Sequence, residues 1–104
     1  MNYRDIAQHL AKHCRKALEG SKEHVPGASE HEDRFVVTKP VSLFGQRQEY
    51  DDPAYAFFIR GYRGDETSPS WTLFVRVSQS KRIDITPRGN VPSHVFACLE
   101  QGGA

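Results

Sequence analysis

The sequence predicts an α+β domain of two layers, with an N-terminal helix packed on an antiparallel sheet of about four strands and a short C-terminal helix. Three observations carry this reading. Apolar residues recur with a helical period over residues 3–18, and with a period of two over residues 54–86. The links between the later strands are short, which favours antiparallel neighbours. With 104 residues the chain is expected to form one domain, 1–104, with enough length for a single core.

The first helix rests on Tyr3, Ile6, Ala7, Leu10, Ala11, Cys14, Ala17 and Leu18, which form one stripe at i, i+3, i+4 and i+7. Asn2 is placed to cap it, Asp5 suits its first turn, and Gly20 is a natural stop. Residues 20–33 are polar and punctuated by Pro26-Gly27, so a loop is expected there. Phe35 to Thr38 reads as a strand that continues past Pro40 into Val41-Ser42-Leu43-Phe44. Proline cannot donate to a ladder, which puts this strand at a sheet edge or breaks it at Pro40.

Two stronger strands follow, Tyr55 to Tyr62 and Trp71 to Val77. Alternation sorts their side chains onto two surfaces. Tyr55, Phe57, Ile59, Trp71, Leu73, Val75 and Val77 should share one, which the first helix should cover. Phe58, Arg60, Tyr62, Thr72, Phe74 and Arg76 should share the other, together with Phe35, Val37 and Lys39 from the first strand and Arg82 and Thr86 from the last. The last strand, Arg82 to Thr86, is joined by a tight hairpin over Ser78-Gln79-Ser80-Lys81. Pro87-Arg88-Gly89-Asn90 reads as a turn, and Val91 to Gln101 as the closing helix, with Gly102 after its end.

The formal charge is +1, from 14 basic and 13 acidic residues, so no global field draws the protein to DNA or makes it resemble DNA. Residues 53–104 lean basic, which makes any electrostatic argument local. The two cysteines, Cys14 and Cys98, both fall on apolar helix stripes. The opening Met1-Asn2-Tyr3-Arg4-Asp5 lacks the apolar run of a secretory signal, and no stretch has the length of a membrane span. The expectation is a cytoplasmic protein with two reduced, buried thiols, no disulfide and no membrane association.

Residues with chemical potential have simpler readings. His9 and His13 stand at i, i+4, a spacing that chelates metal, but no glutamate lies between them as in zinc proteases. Glu30-His31-Glu32-Asp33 groups three carboxylates with an imidazole, and Asp51-Asp52-Pro53 is a turn signal. Each reads as a solvated polar run. Ser93 next to His94 lacks the third member that nucleophilic catalysis needs, and no serine sits in a nucleophile elbow. Arg63-Gly64-Asp65 reads as part of a hairpin loop. No catalytic residue, cofactor or metal site is therefore expected, and the protein is read as not an enzyme.

Rings interleaved with arginines on a sheet surface are the informative feature. Such surfaces bind proteins, where aromatic and arginine residues dominate contact energies, or stack bases and hold phosphates. The candidate partner-binding residues are Phe58, Arg60, Tyr62, Phe74, Arg76, Arg82 and Arg88. The expected function is a small non-catalytic binding protein of accessory or inhibitor type, of the kind carried by phages and mobile elements, engaging a macromolecular partner through its sheet face and loops. A protein partner is the first expectation. A nucleic-acid-binding module is the alternative, and an enzyme or metal-binding protein the third reading. Two arrangements would remove the surface from use: cover by the C-terminal helix, and burial in a homodimer.

Overall fold

A computed structural model describes residues 2–20, 34–43, 53–63 and 66–103. Helix α1 spans Tyr3–Gly20, strands β1 to β5 span Arg34–Val37, Val41–Ser42, Ala54–Tyr62, Trp71–Ser78 and Ile83–Arg88, and helix α2 spans Ser93–Gly103. The Asn2 side chain accepts the backbone N–H of Asp5 at 2.9 Å, which satisfies a donor that the first helical turn leaves open. The α1 stripe then does what its spacing predicts. Ala7, Leu10, Ala11, Cys14 and Leu18 are buried, and Tyr3, Ile6 and Ala17 flank them.

The sheet is antiparallel, in the order β1, β3, β4, β5, and β2 pairs with β3 on the same side as β1. β1 and β2 are one edge strand interrupted by an extra residue. Val37 pairs with Ile59 and Val41 with Ala56, so four steps on the edge match three on β3. The irregularity falls at Thr38-Lys39-Pro40, where proline was expected to break or border the strand. The chain closes the gap with Thr38, whose N–H donates to the Phe58 carbonyl at 2.9 Å and whose hydroxyl accepts the Phe58 N–H at 2.8 Å.

The β4–β5 hairpin turns over three residues. Ser78 N–H donates to Arg82 C=O, Lys81 N–H donates to Ser78 C=O, and Lys81 takes the left-handed conformation with φ 69°. β5 runs further than its pattern suggests. Pro87 and Arg88 pair with Leu73 and Thr72, and the turn begins at Gly89, with φ +76°. Proline is tolerated there because its missing N–H points to the free side of an edge strand.

Both helices lie on one side of the sheet. α1 crosses β1, β3 and β4, and α2 packs along α1. Phe57, Ile59, Trp71, Leu73, Val75 and Val77 form one core with the α1 stripe and with Val95, Cys98 and Leu99 of α2. Gly102 is not a stop beyond α2 but part of its last turn. A Cβ there would lie 3.0 Å from the His13 ring and 3.1 Å from Leu10, so the absent side chain lets the helices approach. Cys98, one turn earlier, lies close to Cys14. Burial pushes the Cys14 thiol up to about 12, with Cys98 adding to the rise, and burial raises Cys98 as well. Both cysteines are free and buried.

Gly61 has a specific reason to be glycine. It pairs with Trp71, and a Cβ would fall on the Trp71 indole. Phe35 packs against that indole with ring centroids 6.1 Å apart, and His94 of α2 meets Phe35 edge-on. These contacts correct the placement of β1. Phe35 and Val37 pair with Gly61 and Ile59, so they belong to the helix-covered side and not to the ring-and-arginine side. Lys39 lies outside the strands.

Candidate functional site

The side of the sheet turned away from both helices carries the candidate residues. Backbone pairing arranges them in rows across the strands, because directly opposed residues share a face. One row is Val36, Arg60, Thr72 and Arg88. The next holds Phe58, Phe74 and Thr86, and the third Val41, Ala56, Arg76 and Asp84. Arg60 and Arg88 thus flank Thr72 two strands apart, about 10 Å at the usual strand spacing.

The rings and guanidiniums organise each other. Phe58 and Phe74, directly opposed on β3 and β4, have centroids 5.1 Å apart and planes tilted by 50°. The Arg60 guanidinium carbon lies 4.6 Å above the Phe58 ring, within range of a cation–π contact. Phe58, Arg60, Tyr62, Thr72 and Phe74 are all half-buried, and Thr86 and Arg88 at the β5 margin are exposed. Val36 and Val41 on the opposite margin are exposed at 39% and 58%. The result is a shelf with a central ring pair, arginines on either side of it, and apolar residues at the β1–β2 margin.

The far end of this face is different. Ala54, Ala56 and Ser78 are buried, and so is Arg76, at 5% exposure. Arg76 Nη1 lies 3.7 Å from Asp84 Oδ2, and Arg82 Nε donates to Asp84 Oδ1 at 3.0 Å. Arg76 was expected in the contact patch. Its burial and its carboxylate neighbour make it an internal part of the face, and Arg82, bridged to the same carboxylate, stays exposed. Asp84 was not among the expected residues. Alternation along β5 places it on the same side as Arg82, two residues earlier, and that was the available signal.

The other residues with chemical potential do not converge. His9 is exposed, whereas His13 is half-buried against Gly102. His94 meets Phe35 on the helix side. No group of three or more histidine, cysteine or carboxylate residues able to hold a metal occurs among the described residues. Glu30 to Asp33, Asp51-Asp52 and the Gly64-Asp65 part of the Arg63 tripeptide lie outside the described residues. No helix among the described residues is long and apolar enough to cross a membrane. No protein-family model matches the chain, and no curated protein and no solved structure is similar to it.

Proposed function

We propose that this is a small non-catalytic binding protein that engages a macromolecular partner through the open face of its sheet. The contact residues are Phe58, Arg60, Tyr62 and Phe74, with Arg88 and Arg82 at the β5 margin. One observation carries the reading. Both helices pack on the opposite face, so neither covers the Phe58–Phe74 pair or Arg60, which stay half-exposed. Solvent-facing positions of an antiparallel sheet are ordinarily polar, and rings there offer contact area at low entropic cost. A protein partner fits a ring pair set between arginines and bordered by Val36 and Val41.

The charge on this face supports a second reading. Arg60, Arg76, Arg82 and Arg88 stand against one described carboxylate, Asp84. Single-stranded nucleic acid stacks on rings and is held by such arginines. The two readings separate by salt, because phosphate contacts weaken steeply as ionic strength rises.

The test uses the tagged full chain, the double variant Arg60→Ala with Arg88→Ala, and Phe74→Ala. Arg76 is left intact because it is buried. Folding is checked by circular dichroism, and capture from a lysate of the native host is compared by quantitative mass spectrometry. Proteins held by the wild type should fall about tenfold or more in both variants. Equal capture by all three refutes the reading. A fluorescent single-stranded oligonucleotide that binds the wild type, with a salt slope reduced in the arginine variant, moves the assignment to nucleic acid.

A further inference from the structure

We propose that the protein pairs with a second copy of itself along β5, antiparallel and centred on Asp84. This surface is an edge of the sheet and does not depend on the function proposed for the open face.

The phase of the β4–β5 ladder shows what the edge offers. Ser78 N–H donates to Arg82 C=O at 2.9 Å, so residues 82, 84, 86 and 88 direct their backbone groups towards β4. Ile83, Ile85 and Pro87 direct theirs outward. The free edge therefore presents two N–H donors, at Ile83 and Ile85, and carbonyls at alternate residues. Such a row is a template for another strand. Among the described elements β5 packs only on β4. Ile83 and Ile85 project on the helix side, but α1 does not reach them, and each is 37% exposed.

The opposite edge differs on each point. It is interrupted between β1 and β2, and Arg15 of α1 donates to the outward carbonyl of Val37 at 3.2 Å. β5 has six unbroken residues, of which only Pro87 lacks an N–H.

The strand's own sequence selects the occupant. Ile83-Asp84-Ile85 reads the same in both directions, so a two-fold axis at Asp84 sets Ile83 of each copy opposite Ile85 of the other. That register uses both free N–H groups of each copy in four backbone hydrogen bonds. It also joins four β-branched side chains into one apolar cluster. Pro87, which has no N–H to give, falls opposite Lys81, outside those four bonds. On the open face the two Asp84 carboxylates meet across the axis. Each is already held by its own Arg82 at 3.0 Å and Arg76 at 3.7 Å, so two negative charges sit among four positive ones. A net charge of +1 per chain adds little repulsion between copies.

Sedimentation equilibrium of the purified full chain, with backbone amide exchange followed by NMR, tests this. The wild type should sediment as a dimer, with the Ile83 and Ile85 amides slowed about tenfold or more relative to Ile83→Lys with Ile85→Lys. That variant should be monomeric with an unchanged circular dichroism spectrum, since both side chains are exposed. A monomeric wild type overturns the proposal, including the case in which the edge serves a strand from another protein. So does a dimer whose Ile83 and Ile85 amides exchange freely, a measurement on the wild type that stands even if the variant fails to fold.

Discussion

The two sides of strands β3 and β4 have the same backbone and different fates. On the helix side, Phe57, Ile59, Leu73, Val75 and Val77 are exposed by 1% or less. On the other side, Phe58, Arg60 and Phe74 remain half-exposed although two of them are rings. The difference lies in what faces them. The α1 stripe supplies small and medium side chains, Ala7, Leu10, Ala11 and Cys14, which let the helix settle closely onto the aliphatic layer. The open side has no such layer from α1 or α2, and its side chains pack on one another, guanidinium over ring and ring beside ring. The sheet thus keeps a closed core on one side and a half-exposed layer of rings and guanidiniums on the other, because alternation lets each strand obey two rules at once.

Substitutions on the two sides should therefore separate stability from binding. The largest loss of stability should come from Leu73→Ala, about 2–5 kcal/mol, because the cavity lies in a closed core. An unfolding midpoint equal to that of the wild type would show that the helix side is not the core. Gly61→Ala should follow, at about 1–3 kcal/mol, since the added methyl falls on the Trp71 indole. The Trp71 fluorescence maximum should shift with it. Phe74→Ala should cost less, on the order of 1 kcal/mol, as it loses a ring pair on a half-exposed surface. A cost as large as that of Leu73→Ala would make the open face a second core and erase the contrast.

A separate effect on the helix side should appear only at alkaline pH. The Cys14 thiol keeps its proton in the folded protein up to about 12, whereas an unfolded thiol loses it near about 8.5. Between these values the unfolded chain binds fewer protons than the native one, so stability falls as pH rises, and below this window the group has no effect. Denaturant midpoints at about pH 8 and about pH 10 should converge in Cys14→Ala relative to the wild type, after the same correction for other groups. An equal fall in both proteins would mean that the thiol is not shielded.

The elements that declared themselves in the sequence are those whose two sides differ in chemistry. Leu73, Val75 and Val77 against Phe74 and Arg76 leave one choice of face, and the α1 stripe leaves one choice of rotation. Phe35-Val36-Val37 is apolar on both sides, so its alternation carries no sign, and only pairing with Gly61 and Ile59 assigns it. Pro87 looked like a turn because the pattern does not say which way its missing N–H points, and Gly102 looked like a stop because its contact with Leu10 and His13 is remote in sequence. The candidate site was legible as a set of side chains, and Phe58, Arg60, Tyr62 and Phe74 do share one surface. Its division was not legible: Arg76 joins the buried end through Asp84, while Arg60 and Arg88 come together across Thr72.

Hydroxyl-radical footprinting tests the central claim most directly, because it reads the surface whatever the partner is. The protein is labelled in dilute buffer and again in a lysate of its native host, and oxidation is measured residue by residue. The account predicts that Phe58, Tyr62 and Phe74 are oxidised in buffer and protected in the lysate, while Tyr3 and Tyr55, paired at 5.5 Å on the helix side, change little. Equal oxidation of Phe58, Tyr62 and Phe74 in the two conditions would contradict it, and so would protection confined to the helix side.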